Sequence, residues 1–153
     1  DRGNPVKSAQ SNTRTLIFFR RNVVNIPANL KYAETDEWVL VEGNVATIGI
    51  SDHAQDQLSD IVFVEISVSE GDTVKKGATC ATLESVKAAA DVNLPVSGKV
   101  VAINEDLAQT PEVVNSDPYG KAWMVKVELA DPGELTGMMD AAAYEKYCAE
   151  RSH

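Results

Sequence analysis

The chain has 153 residues, a formal net charge of −9 and 44% hydrophobic residues, which together predict one domain with a modest core and some tail. It contains no apolar run of the roughly 18 residues that a membrane span requires, so we expect no membrane association. An acidic body is unsuited to the phosphates of nucleic acid. It suits docking onto basic surfaces of partner proteins, although an ordinary solvated acidic surface explains the charge equally well.

The first part of the chain differs in charge from the rest. Residues 1–30 carry five Lys or Arg residues against one Asp, a local charge of +4, so the remainder carries −13. Enrichment in Ser, Asn and Arg is typical of a mitochondrial transit peptide, while a disordered tail or a cloning remnant has the same composition. We expect residues 1–28 to be an extension and residues 29–153 to be the folded domain. A transit peptide would place the protein in the mitochondrial matrix; without one we expect it in the cytoplasm.

The cysteines and histidines do not indicate a metal centre. Cys80 and Cys148 are far apart in sequence and form neither a metal-spaced cluster nor a disulfide framework. Cys80 lies in an apolar stretch, where we expect a small buried side chain. His53 and His153 are too few for a histidine-based site, so we expect no metal.

The elements begin with a hairpin. Residues 37–42 and 45–50 alternate as strands around Gly43 and Asn44, a plausible tight turn. Ser51 and the two residues after it offer N-cap chemistry to a short helix at 54–58. Further strands are predicted at 61–66, 78–83, 91–94, 99–103 and 123–129, with a long irregular connection at 111–120.

The end of the chain has helical spacing. After a Pro-Gly pair, residues 134–149 place apolar side chains three and four positions apart, which predicts one helix packed against the sheet. The stripe consists of Leu135, Met138, Met139, Ala142 and Ala143. Many short strands separated by turns, with one or two helices at the edges, predict a mainly β sandwich or barrel.

The most informative segment is residues 70–98, where two strands converge on Lys87 among small residues. A lysine at a hairpin tip is accessible to a modifying enzyme, and its flexible stem can carry an acyl group through an amide bond. Rigid strands would fix the root of a mobile cofactor arm. An ordinary solubilising lysine would look the same.

The spacing of three glycines favours a carrier lysine over an ordinary solubilising lysine. Gly71 and Gly77 lie 16 and 10 residues before Lys87, and Gly98 lies 11 residues after it. With this spacing the segment resembles the lipoyl and biotinyl carrier domains. Each glycine suits a turn where φ is positive or a side chain would clash.

The residues on either side of Lys87 distinguish between the families of carrier domains. Biotinyl domains carry Met on both sides, and lipoyl domains of 2-oxo acid dehydrogenases carry Asp before the lysine, whereas this chain has Val86 and Ala88. The chain resembles the glycine cleavage H-protein family over about residues 29–149. Ser59, where glycine is common, and a loop near 65–74 without the usual proline depart from the family pattern. The resemblance is carried by ESVKAAADVNLPVSG at 84–98, LKYAETDEWV at 30–39, ATIGISDHAQDQLSDIVFVE at 46–65, VNSDPYGKAWMVKV at 114–127 and MDAAAYEKYC at 139–148.

The resemblance implies a fold, a cofactor and a set of site residues. The fold would be a flattened lipoyl-domain barrel or sandwich (hammerhead), with lipoate attached covalently to Lys87. Glu84 would help the lipoylating enzyme to select the site, although a solvated hairpin acid is an equally good interpretation. Four positions match a cleft that shelters the loaded arm, where carboxylates could hold its cationic amine: Thr35, Glu37, His53 and Asp91.

Each cleft residue also has a structural interpretation. Thr35 could form a turn, Glu37 could end a strand, and Asp91 could be an ordinary turn acid. His53 is better explained as a helix-start residue than as an arm contact.

The resemblance further implies a carrier that is a substrate of other enzymes and is not itself an enzyme. Its partners would be a pyridoxal-phosphate glycine decarboxylase (P protein), a tetrahydrofolate-dependent aminomethyltransferase (T protein), dihydrolipoyl dehydrogenase (L protein) and a lipoate ligase or lipoyltransferase. A carrier that relays lipoyl or octanoyl groups to other proteins would need the same Lys87. An unmodified β-barrel that only binds proteins is the other alternative.

Overall fold

The computed structural model describes residues 25–151, so of the expected extension at 1–28 only the last four residues are described. Asn25 and Pro27 are hydrogen-bonded to the body, through Tyr119 and Tyr32. The elements are β1 Lys31–Tyr32, β2 Glu37–Glu42, β3 Val45–Ile50, α1 Asp52–Leu58, β4 Ile61–Ile66, β5 Thr73–Val74, β6 Thr79–Ser85, β7 Ala89–Asn93, β8 Gly98–Ile103, α2 Val113–Ser116, β9 Val125–Leu129 and α3 Ala141–Arg151. Short 3-10 turns occupy Glu105–Ala108 and Pro132–Gly137.

Within the described residues the strands form two antiparallel sheets that enclose the main core. The larger has the order β1-β2-β3-β9-β8-β5, and the smaller has the order β4-β6-β7. The main core takes side chains from both sheets, including Ile48, Leu83, Val92 and Val127. The mainly β prediction is therefore confirmed. None of the described helices is long and apolar enough to cross a membrane.

The predicted β2–β3 hairpin and the short helix are both present. Gly43 has φ +64°, which suits the two-residue loop between Glu42 and Val45. Ser51 caps α1, because its hydroxyl accepts the backbone N–H of Ala54 at 3.1 Å. The other predicted strands are present, with ends shifted by up to two residues. Residues 111–120, expected to be irregular, contain the single-turn α2.

The three spaced glycines occupy positions that a side chain would disturb. Gly71 and Gly77 have φ of +94° and +93°. Gly98 begins β8 against β9, and a Cβ there would lie 1.9 Å from the carbonyl oxygen of Glu128. The glycines therefore let the chain turn and pair closely around the β6–β7 hairpin.

A second, smaller core lies under α3. Tyr144 stacks on Tyr32 with ring centroids 4.5 Å apart, and the cluster also includes Trp38, Leu30 and Cys148. The indole N–H of Trp38 donates to the carbonyl of Pro118 at 3.0 Å. This cluster attaches α3 to β1 and to the start of β2, which positions the residues just before Glu37.

The single helix predicted over 134–149 is wrong. The chain forms a 3-10 turn at Pro132–Gly137 and then an extended link before α3 begins at Ala141. The physical reason is a tertiary bridge in which Tyr32 and Met139 exchange two backbone hydrogen bonds of 2.8 Å. Asp140 then accepts the N–H of Ala143 and starts a new helix.

The predicted apolar stripe is divided accordingly. Leu135 and Met138 pack against the main core, and Met139 packs against the second core. Ala142 and Ala143 are exposed on α3, whose buried face is formed by Tyr144 and Cys148 instead.

Candidate functional site

Lys87 lies in the tight turn between β6 and β7, as the sequence predicts. The backbone N–H of Ser85 donates to the carbonyl of Ala88 at 2.8 Å, which closes the turn. Lys87 is exposed, and within residues 25–151 its Nζ has no hydrogen-bond or ion-pair partner. The amine therefore projects freely from a turn whose backbone is ordered.

The hydroxyl of Ser85 organises this turn. It accepts the N–H groups of Lys87 at 3.3 Å and Ala88 at 3.0 Å, and it donates to the Ala88 carbonyl at 3.1 Å. The N–H of Val86 donates to the carbonyl of Asp60 at 3.0 Å, which joins the turn to the start of β4. Neither anchor was predicted from the sequence, although a Ser at the start of a turn is a recognisable signal.

Glu84 lies on the exposed outer face of the smaller sheet. Its cross-strand neighbours are Phe63 on β4 and Ala89 on β7. The next row on that face is Glu65, Thr82 and Asp91. Glu84 is therefore available to a protein that approaches Lys87.

Glu37 is a buried carboxylate, with 1% of its surface exposed. The hydroxyl of Thr35 donates to its Oε1 in a short hydrogen bond, and the backbone N–H of Asn93 donates to its Oε2 at 3.2 Å. Burial raises the pKa of Glu37 to about 7, although the hydrogen bonds from Thr35 and Asn93 oppose the shift. Near neutral pH this group can either carry a negative charge or hold a proton.

Cys80 lies in the same region and is fully buried, as predicted. Burial, together with the nearby Glu37 carboxylate, raises the pKa of the Cys80 thiol to about 12. A buried protonated thiol is a poor nucleophile, so Cys80 acts as a small core residue.

The contact between Glu37 and Asn93 brings the start of β2 to the end of β7. Asp91 lies two residues before Asn93 on the exposed side of β7, and the hydroxyl of Thr82 donates to it at 3.4 Å. At about 3.3 Å per strand residue, Asp91 lies within roughly 13 Å of Lys87 along the chain. A lysine extended by an eight-carbon acyl arm spans on the order of 14 Å, so such an arm can reach Asp91.

A cavity of about 260 Å³ adjoins this end of the hairpin. Thr35 and Asn93, the two hydrogen-bond donors to Glu37, both line it. The other walls come from residues 32–34, 76–77, 94–95 and 137–139. The cavity and the Glu37 carboxylate therefore share their polar neighbours.

His53 is placed apart from the other cleft candidates. It is buried in the first turn of α1, with its ring edge against Tyr144 at 6.5 Å between centroids. Asp36 and Cys148 offer further potential metal ligands within 4.8 Å. Asp36 already pairs with the guanidinium of Arg151 at 2.6 Å, so its negative charge is balanced by an internal cation.

The structure thus joins Thr35, Glu37 and the segment that carries Asp91, and it places Lys87 and Glu84 at the other end of the same hairpin. Asn93 was not predicted from the sequence, because its contribution is a backbone N–H. The pattern of side chains in the sequence does not indicate which backbone N–H will act as a donor. Asp36 has a positive φ of +79°, which marks a sharp turn in the backbone. This turn positions the Glu37 side chain next to β7.

Comparison with known proteins decides the family. The glycine cleavage H-protein family model matches residues 30–151. The chain belongs to the glycine cleavage H-protein family. It is 52% identical over 122 residues to glycine cleavage system H protein 2, mitochondrial, of Arabidopsis thaliana, covering 80% of this chain and 78% of that protein. It is 51% identical over 120 residues to the glycine cleavage system H protein of Thermotoga maritima, covering 78% and 96% respectively.

The fold agrees with that family. A crystal structure of the H protein from Mycobacterium marinum matches with a TM-score of 0.72 and 28% identity, covering 84% of this chain and all of that one. The resemblance drawn from five sequence segments is confirmed, and so is the mainly β fold with a C-terminal helix. The chain is a carrier component of the glycine cleavage system.

Proposed function

We propose that Lys87 bears lipoate in amide linkage and that the protein carries the aminomethyl group of glycine between the enzymes of the system. The observation that supports the proposal is the Lys87 turn, in a chain of this family. Its amine is free, and its backbone is held by Ser85 and Asp60. A fixed root with an exposed nucleophile is what a swinging arm requires.

The residues around Lys87 fit a lipoyl arm. Ala88 and Ala89 leave space for the pocket of a modifying enzyme, and β7 provides a surface along which a long chain can lie. When bound, lipoate supplies a sulfur pair that accepts the aminomethyl group and later passes electrons to the flavin enzyme. The chain's own part is to root the arm and to present it to each active site in turn.

The partners follow from this role. The carrier would meet the pyridoxal-phosphate decarboxylase, then the tetrahydrofolate-dependent aminomethyltransferase, and then dihydrolipoyl dehydrogenase. A lipoate ligase or lipoyltransferase would load it beforehand, with Glu84 as an exposed recognition residue beside the turn. The carrier would be a substrate in each case and would catalyse no step itself.

We assign shelter of the loaded arm to the cleft formed by Thr35, Glu37, Asp91 and the adjoining cavity. Only the aminomethylated arm bears a cationic amine, and a carboxylate stabilises that cation by a charge-assisted hydrogen bond. Asp91 lies closest to the root, and Glu37 lies beyond it beside Asn93. We assign His53 a supporting role, because it packs next to Asp36, the residue that precedes Glu37.

The N-terminal extension is assigned to import into the mitochondrial matrix. Its support is the basic composition of residues 1–28 and the mitochondrial name of the Arabidopsis relative. A fusion of residues 1–28 to a fluorescent protein tests this assignment. Matrix fluorescence is expected, and diffuse cytoplasmic fluorescence would overturn it.

Reconstitution of the cycle tests the carrier role. The lipoylated protein is mixed with purified decarboxylase, aminomethyltransferase and dihydrolipoyl dehydrogenase, and glycine-dependent NADH formation is followed. The wild type should sustain turnover and Lys87→Arg should not, while Lys99→Arg at an exposed lysine of β8 should match the wild type. A lipoylated protein that supports no turnover, yet donates its acyl group to another protein, would favour the relay function instead.

A further inference from the structure

Apolar side chains are concentrated on the surface around Lys87. Four large hydrophobic residues are exposed in the described chain: Val62 at 55%, Phe63 at 44%, Val86 at 67% and Val101 at 42%. The first three belong to β4 and to the Lys87 turn, and only Val101 lies on the larger sheet. Exposed apolar patches on otherwise acidic surfaces mark sites of protein contact.

A β-bulge presents two of these residues together. The pairing of β4 with β6 shifts between Ile61 and Phe63, which leaves Val62 as the extra residue. Such a bulge bends the strand and redirects its side chains, so neighbouring residues can both face solvent. Val62 and Phe63 are accordingly both exposed.

The third residue is held next to them by the backbone. Val86 donates its N–H to the carbonyl of Asp60, two residues before Val62. Phe63 lies opposite Glu84, two residues before Val86. Val62, Phe63 and Val86 therefore form one apolar patch beside the modified lysine, which we name the hairpin patch.

The rim of the hairpin patch is acidic. Asp60, Glu65, Glu84 and Asp91 are exposed around it. Within 60–66 and 79–93, which form β4, β6, β7 and the Lys87 turn, Lys87 is the sole basic residue. A complementary partner surface therefore needs an apolar socket surrounded by Lys or Arg side chains.

We propose that the hairpin patch docks into such a socket on the enzyme that acylates Lys87, a proposal that rests on the lipoyl-carrier function above. The lysine stem is only about 6 Å long, so this enzyme must bring its active site against the turn itself. The downstream enzymes meet the end of an arm on the order of 14 Å long and need not cover the turn. Phe63 is the aromatic residue of the hairpin patch, and aromatic side chains contribute a large share of the binding energy at protein interfaces.

The test measures acylation of the unmodified protein by a purified lipoate ligase supplied with lipoate and ATP. Phe63→Ser and Val86→Ser should each lower kcat/KM for the protein substrate by about tenfold or more. Val101→Ser, an equivalent change on the other sheet, should stay within about twofold of the wild type. Glu65→Lys should also slow the reaction, because the new positive charge would repel the Lys or Arg side chains proposed around the socket of the enzyme. Thermal unfolding of each variant verifies that it is folded, and Val86→Ser, at the most exposed position, remains informative if Phe63→Ser is unstable.

The outcomes separate this proposal from the carrier function. Failure of the wild type to be acylated on Lys87 would overturn the carrier function. Normal acylation of the wild type and of both patch variants would overturn the docking proposal alone. Variants acylated to completion and then reduced chemically to the dihydrolipoyl form should be oxidised normally by dihydrolipoyl dehydrogenase with NAD⁺ as the electron acceptor. An equal loss in that reaction would show that the patch is not specific to the acylating enzyme and would also overturn the proposal.

Discussion

The Oε2 atom of Glu37 accepts a hydrogen bond from the backbone N–H of Asn93 at 3.2 Å, across 56 residues of chain. This contact attaches a buried carboxylate of the larger sheet to the free edge of the smaller sheet, on the strand that follows Lys87. It places Glu37 beside the strand along which we propose that the arm lies.

The first prediction concerns pH and stability. The folded-state pKa of Glu37 is raised from 4.5 to about 7, so the contribution of this group to stability is present below about pH 4.5 and is lost as the pH rises through about 7. At 1.36 kcal/mol per pKa unit, the loss for one such group is at most about 3 kcal/mol. Glu37→Gln should therefore lose less unfolding free energy than the wild type between pH 5 and pH 8.

Urea denaturation at the two pH values measures this difference. Glu42→Gln, at the exposed other end of β2, controls for the loss of one negative charge and should keep the wild-type pH dependence. If the unfolding free energies of the wild type and Glu37→Gln changed equally between the two pH values, the pKa of Glu37 would not be raised in the folded protein.

The second prediction concerns the lifetime of the aminomethylated arm. Glu37→Gln combined with Asp91→Asn removes both carboxylates that could hold the cationic amine. Each contact between a carboxylate and the amine contributes roughly 1 kcal/mol, so spontaneous breakdown to formaldehyde and ammonia should accelerate several-fold. The wild-type advantage should shrink below about pH 7, where Glu37 becomes protonated. Mass spectrometry of loaded protein without partner enzymes measures the lifetime, and equal lifetimes would leave simple burial as the protecting factor.

The third prediction concerns the turn. Ser85→Ala removes the hydroxyl that receives the N–H groups of Lys87 and Ala88. We expect faster amide hydrogen exchange at these two residues and slower acylation of Lys87, with little change in global stability because the turn is exposed. Ser85→Thr keeps the hydroxyl and should behave like the wild type. Unchanged exchange in Ser85→Ala would show that the strands alone order the turn.

The fourth prediction compares two of the spaced glycines. Gly98→Ala places a Cβ 1.9 Å from a backbone oxygen of β9, so β8 and β9 must separate, and we expect a loss of several kcal/mol in unfolding free energy. Gly71→Ala has open space and suffers only from its positive φ, with an expected loss of about 1 kcal/mol. Chemical denaturation of both variants measures their unfolding free energies. A larger loss in Gly71→Ala than in Gly98→Ala would contradict the prediction.

The sequence predicts those parts of the site that depend on local geometry. The Lys87 turn, the turns at Gly71 and Gly77 and the close approach at Gly98 follow from residue type and spacing within residues 70–98. The contact between Glu37 and Asn93 does not, because its donor is a backbone group on a strand distant in sequence. The error at 134–149 has a similar origin: apolar spacing favours a helix there, but Met139 gains two backbone hydrogen bonds to Tyr32 that no local pattern reveals.

Mass spectrometry determines directly whether Lys87 is the single site of acylation. The protein is produced in cells able to lipoylate, and its intact mass and its peptide map are measured beside those of Lys87→Arg. We expect one lipoyl increment on the wild type, located on the peptide that contains Lys87, and none on the variant. A lipoyl increment on Lys87→Arg would show that another residue is acylated, and a wild-type protein that remains unmodified under these conditions would show that Lys87 is not a lipoylation site.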